Sequence, residues 1–245
     1  MGGNRHVMLN LITWSADNGY DSIDWNAITE LSVFRMVPAK DGSIQYDGDA
    51  VDVKKVIGNA HDNGVKATVA VGGAGIFPNI VNGILSSQSS RAALVDSIAN
   101  ELEEKGYDGV QMDFENTSPG DFDKEQYATL VKELHDALNR LGKDYTISVT
   151  FARWEDKSID PKLLEPYANH LLLMFDPSDN DIISYSSKLK DKSKLSIGYQ
   201  LFEEKPAELS KKLSKNMGDG YGAFFWEASA SSGGFYDAIK SALGK

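Results

Sequence analysis

The chain has 245 residues, 41% hydrophobic and 25% charged, enough for one α/β domain with its own core. Its 36 acidic against 25 basic residues give a net charge of −11, a surface that repels nucleic-acid phosphates and anionic lipids and suits a neutral partner. The lack of cysteine excludes disulfides and thiol chemistry, and His6, His61, His135 and His170 stand at no ligand spacing, so neither a metal nor a cofactor is expected.

Candidate strands fall in chain order at 6–12, 31–37, 66–71, 109–115, 145–151, 170–175, 194–200 and 222–226. Each is a short run rich in Val, Ile, Leu, Phe or Tyr, and most end at Gly, Pro, Asp or Asn. Helices are expected between them. The clearest spans 123–141, where Tyr127, Leu130, Val131, Leu134, Leu138 and Leu141 share one face and Gly142 follows. A second spans 91–104, capped by Ser89 or Ser90. Weaker patterns lie at 24–30, 50–62, 160–168, 180–190, 205–217 and 234–243. This alternation predicts a single (β/α)8 barrel over residues 1–245 without a large inserted domain. A doubly wound open sheet is the alternative, but no GxGxxG follows the first strand; Val71-Gly72-Gly73-Ala74-Gly75 has the wrong spacing.

No apolar run reaches 18 residues, so no membrane span is expected. Met1-Gly2-Gly3 fits a cloning remnant. An exported protein whose signal has been removed is expected, with a cytoplasmic one as the alternative.

The chemistry concentrates in Asp108-Gly109-Val110-Gln111-Met112-Asp113-Phe114-Glu115. Strand alternation puts Gln111, Asp113 and Glu115 on one face and the apolar residues on the other. Glu115 falls at the C-terminal strand end, where barrel enzymes hold their chemistry. Two close carboxylates cannot both ionise freely, so one pKa should rise and leave Glu115 as a proton donor beside Asp113. That is what cleavage of a glycosidic bond needs.

The segment resembles the DGxDxDxE motif on the fourth barrel strand of glycoside hydrolase family 18, which holds chitinases and endo-β-N-acetylglucosaminidases. Asp108, Gly109, Asp113 and Glu115 match; Gln111 stands where the family usually has Asp or Asn. Ile23-Asp24-Trp25 with Asp41-Gly42 resembles the family's first helix and second turn. Ala70-Val71-Gly72-Gly73 resembles its SxGG strand end, and Gly222-Ala223-Phe224-Phe225-Trp226 its last strand, whose Trp floors the sugar site. The resemblance implies a retaining mechanism in which the substrate's 2-acetamido group is the nucleophile. Glu115 then acts as acid and base, with Asp113 orienting the acetamido group. On strand six the family carries MxYD, its Tyr holding that group. Leu173-Met174-Phe175-Asp176 puts Asp176 or Phe175 at the Tyr position, depending on the alignment, and Tyr199 on the next strand is a substitute hydroxyl.

Trp14, Trp154 and Trp226 follow or end strands at the Glu115 end and are candidate sugar platforms. Arg153 and Glu227 beside them are candidate hydroxyl ligands, and Trp25 is expected to be structural. The expected partner is an oligo- or polysaccharide of N-acetylglucosamine, bound by a monomer in an open groove suited to internal cleavage. Chitin leads; N-glycans and peptidoglycan are alternatives, and a lectin-like barrel without catalysis is the alternative of another class. Acidic Leu201-Phe202-Glu203-Glu204 disfavours a phosphorylated substrate.

Overall fold

Eight parallel strands close into a ring in the computed structural model, which describes residues 5–74, 76, 78–115, 122–155, 157–201, 205–228 and 233–244. The strands are β1 (Val7–Ile12), β2 (Glu30–Pro38), β4 (Lys66–Gly72), β5 (Gly109–Asp113), β6 (Thr146–Phe151), β7 (His170–Leu173), β8 (Leu195–Gln200) and β9 (Gly222–Trp226). Each pairs with its neighbour, and β1 pairs with both β2 and β9 to complete the barrel. A short β3 (Ile44–Tyr46), not expected from the sequence, folds back antiparallel on β2.

The helical layer is α1 (Val53–Asp62), α2 (Pro78–Ser86), α3 (Gln88–Lys105), α4 (Lys124–Arg140), α5 (Pro161–Leu164), α6 (Asp179–Ser186), α7 (Pro206–Gly218) and α8 (Gly233–Leu243). Local chemistry sets the ends. Asp123 caps α4 by accepting from the Gln126 amide, and Ser87, rather than Ser89 or Ser90, caps α3. The expected helix at 24–30 does not form. Asp24 instead accepts from the Asn26 amide and stabilises a single turn, Trp25–Ala27, before the chain enters β2. Helix α2 had no expectation; it has only nine residues, with buried Val81, Ile84 and Leu85 on one face and a glycine, Gly83, inside it. Among the described residues no helix is long and apolar enough to cross a membrane.

The strands are buried on both faces, but the two faces differ. Outward residues such as Leu9, Val33, Val69, Val110, Val149, Leu171, Ile197 and Phe225 pack with the helices in the main core. The interior holds a small apolar cluster, Met8, Ala152, Leu172, Met174 and Phe224. Around it lie the buried polar residues Asn10, Ser32, Thr68, Gln111, Ser148, Thr150 and Ser196. Polar groups in such a place are costly unless bonded or used.

Candidate active site

Strand β5 ends at Asp113, two residues earlier than its pattern suggested, so Glu115 stands just beyond the strand. Gln111, Asp113 and Glu115 nevertheless line one cavity of about 130 Å³ at the C-terminal mouth of the barrel. Asn10, Phe34, Ala74, Thr150, Met174, Phe175, Phe224 and Trp226 complete it. The Gly72-Gly73 turn clamps the end of β5. Gly73 N donates to Asp113 O at 2.7 Å, and a Cβ on Gly72 (φ 126°) would lie 2.1 Å from that same oxygen. Gly73 thus acts through its backbone.

Burial lifts the Asp113 carboxyl well above the usual carboxylate range. The neighbouring Glu115 and Glu155 charges push it the same way, and a hydrogen bond with the Thr150 hydroxyl pulls it back. Burial also lifts Glu115, opposed by its hydrogen bond with Asp113. Both acids rise, and Asp113 is the more deeply buried of the two. Such a pair titrates as a unit and retains a proton at a pH where an exposed pair would have lost both. Glu155, buried after β6, accepts from the Ala152 amide at 2.7 Å and adds a third acid near the site.

Aromatic rings wall the mouth on two sides. Phe34 meets Trp226 edge-on at 4.8 Å, and Trp14 lies 6.4 Å from Trp226. Across the barrel Trp154 is parallel to Phe175 at 6.1 Å, with the Arg153 guanidinium 5.8 Å from the Trp154 ring. Trp14 is 48% exposed and Trp154 38%, unusual for Trp, so both offer ring faces to solvent. Trp25 packs edge-on against Tyr20 in the outer layer.

Three other candidate residues lie outside the cavity. Asp108 sits at the opposite end of β5, accepting from the Ala67 amide and pairing with His61, each at 2.8 Å; it ties β5 to its neighbours. Tyr199 faces outward, its hydroxyl accepting from Asn216 Nδ2 at 2.8 Å and its ring stacked on Phe225, so it supplies no hydroxyl to the cavity. Phe175 and Asp176 both adopt left-handed backbone, with φ of 59° and 45°. That turn sends Phe175 into the cavity and Asp176 out to Lys212 at 3.3 Å. Phe175 therefore occupies the position next to the cavity that the sequence left open between the two.

Sequence reasoning missed Asn10, Phe34 and Thr150. The signal was present for Asn10, a lone polar residue in an apolar strand. It also missed a cluster at the far end of the barrel. His6 and His170, far apart in sequence, stack with centroids 3.5 Å apart and planes at 6°, and His6 Nε2 lies 3.1 Å from Glu30 Oε2. Two imidazoles and a carboxylate are a metal-ligand set by composition. Their in-plane lone pairs, however, do not converge on a common point when the rings are parallel. The group borders a cavity of about 790 Å³ on the N-terminal side, away from the acid pair.

The sequence profile of the family described as Glycosyl hydrolases family 18 matches residues 9–230. The chain belongs to this family. No curated protein sequence matches it significantly. Among solved structures it is similar to a chitinase from Chromobacterium violaceum (14% identity, TM-score 0.81), covering 98% of this chain and 99% of that one. It is also similar to the group IV chitinase of Ostrinia furnacalis (13%, 0.83; 99% and 100%). A spore cortex-lytic enzyme of Bacillus megaterium aligns too (15%, 0.80; 99% of this chain, 75% of that one). At these identities the likeness carries the fold, a (β/α)8 barrel. Membership of family 18 supports glycoside hydrolysis as the class of activity.

Proposed function

We propose that the protein hydrolyses glycosidic bonds of N-acetylglucosamine polymers, chitin-type β-1,4 linkages first, by a retaining mechanism assisted by the substrate's own acetamido group. The buried, proton-retaining pair of Asp113 and Glu115 beneath Trp226 carries this reading. The sugar at the cleavage point rests on Trp226. Its acetamido group enters the cavity, whose 130 Å³ leaves room for a group of that size.

Glu115 protonates the leaving oxygen while the acetamido oxygen attacks the anomeric carbon. Asp113 orients the acetamido N–H and stabilises the positive charge that develops on the resulting ring. Water, deprotonated by Glu115 now acting as base, opens that ring and restores the acetamido group with retained configuration. This belongs to the substrate-assisted exceptions to the two-carboxylate scheme. Exposed Trp14 and Trp154 on opposite sides of the mouth suit a chain that continues past the cleavage point both ways, hence internal cleavage by a single exported domain acting as a monomer.

Peptidoglycan is the second reading, favoured by the likeness to spore cortex-lytic enzymes. The charge of −11 opposes an anionic wall polymer. Product analysis on chitin oligomers, an N-glycan and peptidoglycan separates the substrates. Glu115→Gln is expected to lower kcat by about 10²- to 10⁴-fold with binding retained. Wild-type turnover of zero on all three would sink the proposal in favour of a carbohydrate-binding barrel.

A further inference from the structure

The acid pair raises a question of where its proton resides. Asp113 is the more deeply buried acid, so burial alone puts the shared proton on Asp113. Protonation of a leaving oxygen requires it on Glu115. Glu115 and Glu155 both oppose a negative charge on Asp113, so neither corrects the bias.

The barrel wall contains a counterweight. Gln111 Nε2 lies 3.0 Å from Thr150 Oγ1, and both residues are buried. Thr150 is in turn hydrogen-bonded to Asp113. Its hydroxyl has one proton, and an ionised carboxylate only accepts. The arrangement that favours an ionised Asp113 is therefore Gln111 donating to Thr150 and Thr150 donating to Asp113. The same logic fixes which end of the Gln111 amide faces Thr150. Gln111 can neither take nor release a proton, so the chain runs one way. The β5–β6 register places Gln111 opposite Ser148 and so brings Thr150, two residues on, level with Asp113.

We propose that Thr150, held by Gln111, is a positioning residue that keeps the negative charge on Asp113 and the shared proton on Glu115. The proposal rests on the glycosidase reading of this site. It accounts for the Gln at the motif's middle position, which with Thr150 forms a neutral donor chain where an acid stands in related motifs.

Thr150→Val keeps the shape and removes the donor; Thr150→Ser keeps the donor. Two measurements are made on each variant: pH profiles of kcat and KM on N-acetylglucosamine oligomers, and carboxyl-carbon NMR titration, with Asp113→Asn assigning the signal. Thr150→Val is expected to lower kcat about tenfold with KM changed less than about twofold. Its Asp113 signal should move toward the protonated position where the pair holds one proton. Thr150→Ser should recover most of both.

Gln111→Met breaks the chain one link earlier. It should move the Asp113 signal the same way, and it serves as the test should Thr150→Val fail to fold. An Asp113 titration unchanged in Thr150→Val and Gln111→Met overturns the proposal, as does a kcat loss that Thr150→Ser does not relieve. A wild-type protein inactive on every glycan defeats the glycosidase reading instead, and the carboxyl titration still decides the donor chain.

Discussion

His170→Gln is expected to flatten the acid side of the stability curve. His170 opens β7 at the N-terminal end of the barrel, stacked on His6. The charged or titratable groups facing it are His6 before β1, Glu30 at the start of β2, Lys66 at the start of β4 and Lys194 before β8. Burial, then the His6 charge, oppose protonation more than Glu30 favours it, and the pKa falls from 6.5 to about 3. The unfolded chain therefore takes up a proton near pH 6.5 that the folded chain refuses until about pH 3. The stability this group contributes is present above 6.5 and is lost as pH falls through that window. Linkage from pH 7 to pH 5 gives a loss of about 2 kcal/mol, a sizeable part of a stability of about 5–15 kcal/mol. The acid pair titrates in wild type and variant alike and cancels in the comparison. Urea unfolding of both proteins at pH 7 and pH 5 measures the effect. Wild type should lose about 2 kcal/mol more than the variant; an equal loss refutes the reasoning from burial.

Phe175→Tyr adds a hydroxyl at the edge of the cavity that receives the acetamido group. One added hydrogen bond should raise kcat/KM on N-acetylglucosamine oligomers about fivefold, and no change in steady-state kinetics would place the acetamido group elsewhere. Trp14→Ala and Trp154→Ala should each cost about 1 kcal/mol, roughly fivefold in KM, on long oligomers and much less on dimers; losses independent of chain length would remove both rings from the groove. Asp108→Asn weakens the tie to Ala67 and should lower unfolding free energy by about 1 kcal/mol with kcat unchanged. A fall in kcat would return Asp108 to the chemistry.

The barrel was legible because its signal is redundant. Eight apolar runs recur with helical periodicity between them, and a boundary missed by two residues leaves the order of elements intact. What escaped was short or locally overridden: α2, nine residues long with Gly83 inside it; β3, three residues long; and the turn at Trp25–Ala27, where the Asp24 side chain competes with helix formation. The acid pair was legible for a different reason. Charged residues alternating with buried apolar ones fix the inward face of a strand without reference to its neighbours. The His6–Glu30–His170 cluster had no such signal, since His170 on β7 meets His6 and Glu30, at the starts of the paired strands β1 and β2, only inside the closed barrel.

The displaced candidates divide by whether strand geometry reaches them. Asp108 was excludable by arithmetic: five residues before Asp113 at about 3.3 Å each is about 16 Å, the length of the strand and the wrong end of it. Tyr199 was excludable by parity. Gly198 faces inward against the Phe224 ring, where a Cβ would come within 2.7 Å, so the next residue must face the helices. Phe175 and Asp176 were not excludable at all. Alternation holds only while the backbone stays extended, and both residues leave β7 with positive φ. At that point parity no longer predicts facing, and two alignments differing by one residue predict opposite chemistry. Non-glycine residues in this conformation are strained and are retained where surrounding contacts determine them. Here the contacts are the Asp176 amide on Gly198 O at 3.0 Å and the Asp176 carboxylate on Lys212. The turn thus trades the outward carboxylate for an inward aromatic ring. It makes the cavity wall after β7 apolar, and leaves Asp113 as the residue that must hold the acetamido group in the proposed mechanism.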